Sequence, residues 1–206
     1  EVAHTKVEDN TNSAEYKAFL REKVFRNPLI WILAFANFFV YVVRFAVLDW
    51  GPKFLQEARG LDPMEAGWII SISEIMGIIG MLVAGWATDK LFKSKAHRTC
   101  VFCMLGAAVF MAIFYFMPGT APAPLLAGVL GMVGFFIYGP QALIGVIASN
   151  QATKKAASTA NGVVGFVSYI SVAVSGVGFG FISDHFGWQW VFITMIIIAI
   201  LGLLAL

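Results

Sequence analysis

Arg44 sits inside the apolar stretch FANFFVYVVRFAVLDW, residues 35–50. Its chemistry, more than that of any other residue in the chain, needs a reason. A guanidinium stays charged at every physiological pH, and its planar fork can bond two phosphate or carboxylate oxygens at once. Placing one in the hydrocarbon region costs about 2.5–3.5 kcal/mol on insertion scales, so it must face a bundle interior or a wet cavity. Tyr41 lies three positions before Arg44 and Asn37 four before Tyr41, which puts all three on one helical face. An ion pair with Glu74, in SEIMGIIG, explains Arg44 structurally. An anion site in a water-filled pathway explains it functionally, and the polar stripe favours this second reading over both the ion pair and snorkelling to the interface.

Glu74 itself needs a partner or a proton in hydrocarbon. Binding a proton, pairing with Arg44 and tuning the site are all open to it. Tyr138 stands in FFIYGPQALIG just before Gly139–Pro140, where a proline removes a backbone hydrogen bond and favours a kink. Tyr169 stands in GVVGFVSYISVAVSG beside Ser168 and Ser171. Phenolic hydroxyls suit phosphate oxygens, so Tyr41, Tyr138 and Tyr169 join Arg44 and Glu74 as candidate substrate ligands. Cys100 and Cys103 have C-x-x-C spacing, but there is no second pair and the three histidines are scattered. Thiols opening an apolar segment read as packing groups rather than as metal or redox ligands. No activated nucleophile, metal cluster or phosphate-binding glycine loop appears. The expectation is a protein that is not an enzyme and uses no cofactor or metal.

The elements that position these residues follow from composition. The chain has 206 residues, 59% hydrophobic and 13% charged, against about 25% charged in soluble domains. Six apolar segments, at 29–50, 66–87, 99–117, 124–148, 157–183 and 187–206, supply the roughly 20-residue runs a membrane helix needs. Barrel strands would alternate over about 10 residues, so the fold class is an all-α membrane protein with six transmembrane helices. The first helix, taken as Leu29 to Pro52, has its midpoint near Val40–Tyr41, and Arg44 then lies about one turn from the centre. A net charge of +2 gives no footprint for nucleic acid.

Basic residues segregate. Lys6, Lys17, Arg21, Lys23 and Arg26 precede the first segment, Lys90, Lys93, Lys95 and Arg98 follow the second, and Lys154 and Lys155 follow the fourth. The opposite loops hold only Lys53 and Arg59. The positive-inside rule then places the N-terminal segment in the cytoplasm. Trp50, Trp68, Trp86, Trp188 and Trp190 fall near segment ends, where interfacial aromatics are expected. Glycines concentrate in the fourth and fifth segments, with Gly176 and Gly180 in GxxxG spacing, a pattern that permits close helix approach. The polar opening predicts no cleavable signal peptide. A chain that starts without Met and stops within an apolar run at Leu206 reads as a piece of a longer protein.

The loop GWATDKLFKSKAHR, Gly85 to Arg98, sets Asp89 beside several basic residues, an arrangement suited to a charge latch. Its G-x-x-x-D-K pattern, built on Gly85, Asp89 and Lys90 with Arg98 beyond, resembles the loop motif of the major facilitator superfamily. VYVVRFAVLDWGP, SEIMGIIG, FFIYGPQALIG and KKAASTANGVVGFVSY are more specific. They resemble the C-terminal half of the organophosphate:inorganic phosphate antiporters, over about Phe25 to Leu206, the bacterial glycerol-3-phosphate transporters above all.

The resemblance implies the C-terminal half of a twelve-helix fold. Residues 1–28 would be the central cytoplasmic loop, and residues 29–206 helices seven to twelve in the bacterial inner membrane. It further implies that Arg44 meets the phosphate beside a second arginine from the N-terminal six-helix half. Tyr41, Tyr138 and Tyr169 would surround the substrate, and Glu74 would be the family's embedded glutamate. The hexose-phosphate branch carries an Asp and a Lys in the eleventh helix, whereas SYISVAVSGVGFGFI has no charge, which favours glycerol-3-phosphate. The implied activity is exchange of an organophosphate for inorganic phosphate by alternating access, with one full-length chain sufficing as a monomer. Transport of a hexose phosphate or phosphoglycerate, and a membrane sugar-phosphate sensor of the same fold, are the alternatives.

Overall fold

The computed structural model describes residues 14–206, and the described residues hold helices and no strand. Six helical rods are long and apolar enough to cross a membrane. The segment read as a central loop falls partly outside the described residues, at 1–13. Its remainder is helical: α1 (Ala14–Leu20) runs into a wide π-helical turn, Arg21–Phe25. Val24 is fully buried, and Phe19 and Leu20 pack on the same core. The Tyr16 hydroxyl donates to the Lys155 carbonyl oxygen at 3.1 Å.

The first span starts where Asn27 caps α2 (Pro28–Phe45), its side-chain oxygen accepting from the Leu29 amide at 3.0 Å. Pro28 suits the first turn because its missing N–H has no partner there in any case. Beyond Phe45 the helix widens into a π turn, Ala46–Trp50, and resumes as α3 (Gly51–Glu57). The span therefore ends at Glu57, seven residues past the sequence-based limit. Gly51–Pro52 looks like a stop in sequence, but Pro52 falls in the first turn of a new helical segment, where proline is tolerated.

The remaining spans are α4 (Pro63–Lys90), α5 (Ala96–Phe116), α6 (Ala123–Gln151), α7 (Ala157–Phe186) and α8 (Trp188–Ala205). α2 lies centrally against α6, α7 and α8, while α5 packs between α6 and α8. The most extensive pairing is α4 on α6. There, a Cβ on Gly80 would run into the Phe135 backbone and one on Gly134 into the Ser73 backbone. Ser73 adds a hydrogen bond to the Leu130 carbonyl oxygen at 2.9 Å. The close approach permitted by glycine thus falls on α4 and α6. In α7, Gly162, Gly165, Gly176 and Gly178 face open space, and only Gly180 meets a neighbour, the Trp50 ring.

Trp68, Trp86 and Trp190 are exposed near helix ends. Trp50 and Trp188 instead pack on each other, with ring centroids 6.4 Å apart, and Trp188 also packs edge-on to Phe54. Arg59, just beyond the first span, ties the end of α5 by donating to the Phe114, Met117 and Pro118 carbonyl oxygens. Burial lowers its pKa from the ordinary value. Cys100 and Cys103 are free and buried, as packing groups are.

Candidate functional site

Arg44 occupies the last turn of α2, immediately before the π turn. Single π turns recur at functional positions in helices. Its Nη2 donates to the Tyr138 hydroxyl at 2.8 Å, and that hydroxyl donates in turn to Glu74 Oε2. The Arg44–Glu74 separation is 3.6 Å, so guanidinium and carboxylate meet both directly and through the phenol. The guanidinium carbon also lies 4.6 Å from the Tyr138 ring centroid and 5.3 Å from that of Phe45, within cation–π range. Arg44 Nε is buried and has no hydrogen-bond partner.

Packing of α4 on α6 sets this relay. Tyr138 is buried on α6 and needs room on α4, which Gly77 supplies: a Cβ there would stand 2.5 Å from the Tyr138 ring. Glu74 lies three residues before Gly77, on the same side of α4, and so reaches the hydroxyl.

One turn back on α2, Tyr41 packs edge-on to Tyr169 of α7, with centroids 5.7 Å apart. Tyr169 itself is 63% exposed. Asn37, a further turn back, is buried and its Nδ2 donates to Ser168 Oγ at 2.8 Å. Ser168 donates to the Val164 carbonyl oxygen, and Ser171 to that of Ser168. Ser168 therefore serves the α2–α7 seam, while the Ser171 bond stays within α7.

The face of α2 carrying Asn37, Tyr41 and Arg44 thus gathers Tyr138 and Glu74 on one side and Tyr169 on the other. Gln141, one turn after Tyr138, places its amide beside the Tyr41 hydroxyl. Sequence reasoning missed it, although its spacing from Tyr138 puts it on the same helical face. Gly85, Asp89, Lys90 and Arg98 lie apart from this cluster, at the basic end. Asp89, Lys90 and Arg98 are exposed and form no ion pair among the described residues. The ends of α4 and α5 are joined there by Thr88, whose hydroxyl bonds that of Thr99 at 2.8 Å. Among the described residues no group of His, Cys, Asp and Glu could hold a metal ion.

A largely buried cation that shares one phenol with a carboxylate is chemically able to bind an anion. The sequence profile described as Major Facilitator Superfamily matches residues 2–176. The chain belongs to that superfamily. It is 41% identical, over 92% of its length, to a glycerol-3-phosphate transporter of Bacillus subtilis, of which it covers 43%. It is 36% identical, over 95% of its length, to a probable hexose phosphate transport protein of Chlamydia pneumoniae, of which it covers 44%. The chain thus spans less than half the length of these relatives.

A solved peptide transporter in complex with alafosfalin superposes with a TM-score of 0.72 at 15% identity, over 85% of this chain and 37% of that one. That likeness concerns the fold. Six spans of a superfamily of transporters make this a multi-pass membrane protein of a transport family.

Proposed function

We propose that the chain is the C-terminal six-helix half of a secondary transporter that exchanges an organic phosphate, glycerol-3-phosphate by preference, for inorganic phosphate. The observation that carries this reading is Arg44: a guanidinium with a side chain only 19% exposed, shared between Tyr138 and Glu74, with Nε unpartnered. A phosphate offers several acceptor oxygens to such a fork and to the Tyr41, Tyr138 and Tyr169 hydroxyls. Glu74 holds Arg44 between binding events, and an incoming anion displaces it. A phosphate dianion needs a second positive charge, supplied by the other half of the transporter. Rocking of the two halves then exposes the site alternately to each side. The basic end faces the cytoplasm of a bacterial inner membrane, the Gly85–Arg98 loop acts there as a charge latch, and one full-length chain works as a monomer.

The Bacillus relative supports glycerol-3-phosphate, and so does the uncharged stretch SYISVAVSGVGFGFI. The Chlamydia relative favours a hexose phosphate as the second reading. The test uses the intact transporter in phosphate-loaded liposomes, comparing wild type with Arg44→Lys. Lysine keeps the charge and loses the fork, so uptake of labelled glycerol-3-phosphate should fall by about tenfold or more, the worth of one charged hydrogen bond. Near-normal exchange by the variant would count against the site. Saturable binding without uptake by the wild type would make the protein a sensor of the same fold.

A further inference from the structure

At the end of the bundle opposite the basic loops, Arg59 is a cation without a counter-charge. A guanidinium carries five N–H donors. Three hydrogen bonds, to the Phe114, Met117 and Pro118 carbonyl oxygens, use part of that fork. They satisfy carbonyls that the end of α5 would otherwise leave unpaired. This capping accounts for the place of the side chain, but it neither uses the remaining donors nor neutralises the charge. Among the described residues no carboxylate pairs with Arg59. Lys53, near the same end, has both Glu57 and Asp184.

Arg59 lines an open cavity of about 490 Å³ between the end of α3, the end of α5 and the start of α8. Its walls are largely aromatic, with Phe54, Tyr115, Trp188 and Phe192, and Gln189 adds a neutral polar group. No carboxylate lines it. Phe116, the last residue of α5, borders this cavity and also an apolar groove of about 520 Å³ that includes Val109, Ala112 and Ile113. Positions 109, 112, 113 and 116 share one helical face, and Val109, Ile113 and Phe116 are exposed on it. From Phe116 back to Val109 the groove runs about 10 Å into the span.

A cationic cavity at the end of a span, continued by an apolar groove along that span, has the two-part shape of a phospholipid. A soluble phosphate would use the cavity and leave the groove empty. A zwitterionic headgroup would bring an ammonium that no carboxylate in the cavity could take up. We infer that this is a binding site for an anionic phospholipid, with its phosphodiester on Arg59 and an acyl chain over Phe116, Ile113 and Val109. Fifteen residues of mostly helical chain separate Arg59 from Arg44, about 20 Å along the axis. The site is therefore distinct from the Arg44 cluster and does not depend on which solute is exchanged there.

The experiment places the intact transporter in vesicles of equal parts dioleoyl phosphatidylglycerol and dioleoyl phosphatidylethanolamine. It carries a photo-crosslinking benzophenone side chain at position 113, and mass spectrometry identifies the captured lipid. Capture should favour phosphatidylglycerol about fivefold, the worth of one basic residue near an anionic surface, and the preference should persist in excess inorganic phosphate. Arg59→Gln keeps a donor for the α5 carbonyls and loses the charge, so it should bring the ratio close to one. Capture by wild type in the proportions of the vesicle overturns the inference, and so does a preference that survives Arg59→Gln. A preference erased by inorganic phosphate would make the cavity a site for a soluble anion, which also overturns it.

If Arg59→Gln does not fold, Ala58→Glu serves. Ala58 is exposed and lines the cavity, so this change supplies a carboxylate beside Arg59 without removing the side chain that caps α5. The preference should again disappear, and its persistence is contradictory.

Discussion

At the scale of residues, the account turns on competition for one guanidinium. Glu74 and a bound anion cannot both hold Arg44 in full, and Tyr138 stands between the two partners as a shared hydroxyl. Replacing Glu74 with Gln keeps an acceptor for Tyr138 and removes the competing charge. The apparent KM for phosphate should then fall by about fivefold, the worth of roughly 1 kcal/mol for a pair this exposed, and maximal exchange should slow because release becomes harder. Concentration-dependent exchange in liposomes reads both. A raised KM with unchanged maximal rate would place Glu74 among the ligands instead. Much of this site was legible in the sequence. A charged residue in an apolar run has few places to go, and helical spacing ties Asn37, Tyr41 and Arg44 together. The bridging position of Tyr138 was not legible, because it depends on Gly77 of another helix leaving room for the ring. Gln141 escaped notice because a lone neutral amide in an apolar helix signals far less than a charge, although its spacing from Tyr138 was there to read.

At the scale of elements, glycine placement fixes how closely α4 and α6 approach, and so where Glu74 meets Tyr138. Gly134→Val would press a branched side chain on the Ser73 backbone. Overpacking of this kind costs about 1–3 kcal/mol. Thermal unfolding in detergent should show an apparent Tm lowered by roughly 5 °C, at a few degrees per kcal/mol for a chain of this size. Gly67→Ala, on α4 but facing open space, should leave Tm near wild type and is the control. Equal Tm values for both variants would contradict the packing account. Hydropathy made all six spans readable, since a bilayer-crossing helix has no other composition open to it. The apolar run that marks the first span ends at Trp50, whereas a π turn and α3 carry the helix on through the more polar residues to Glu57. Gly176 and Gly180 were expected at a helix–helix contact, but counting small residues does not say which face they occupy.

At the scale of the molecule, one arginine is half of what a phosphate dianion needs. α7 leaves Tyr169, Phe166 and Val177 largely exposed, and the chain covers 43% of its Bacillus relative. Both facts agree with a site completed by a second six-helix half, and with exchange rather than uniport if the empty, Glu74-held site resists reorientation. The direct test loads liposomes containing the intact transporter with increasing internal phosphate and follows uptake of labelled glycerol-3-phosphate. The account predicts uptake that requires internal phosphate and saturates with it. The same uptake into liposomes holding only sulfate or chloride would contradict it.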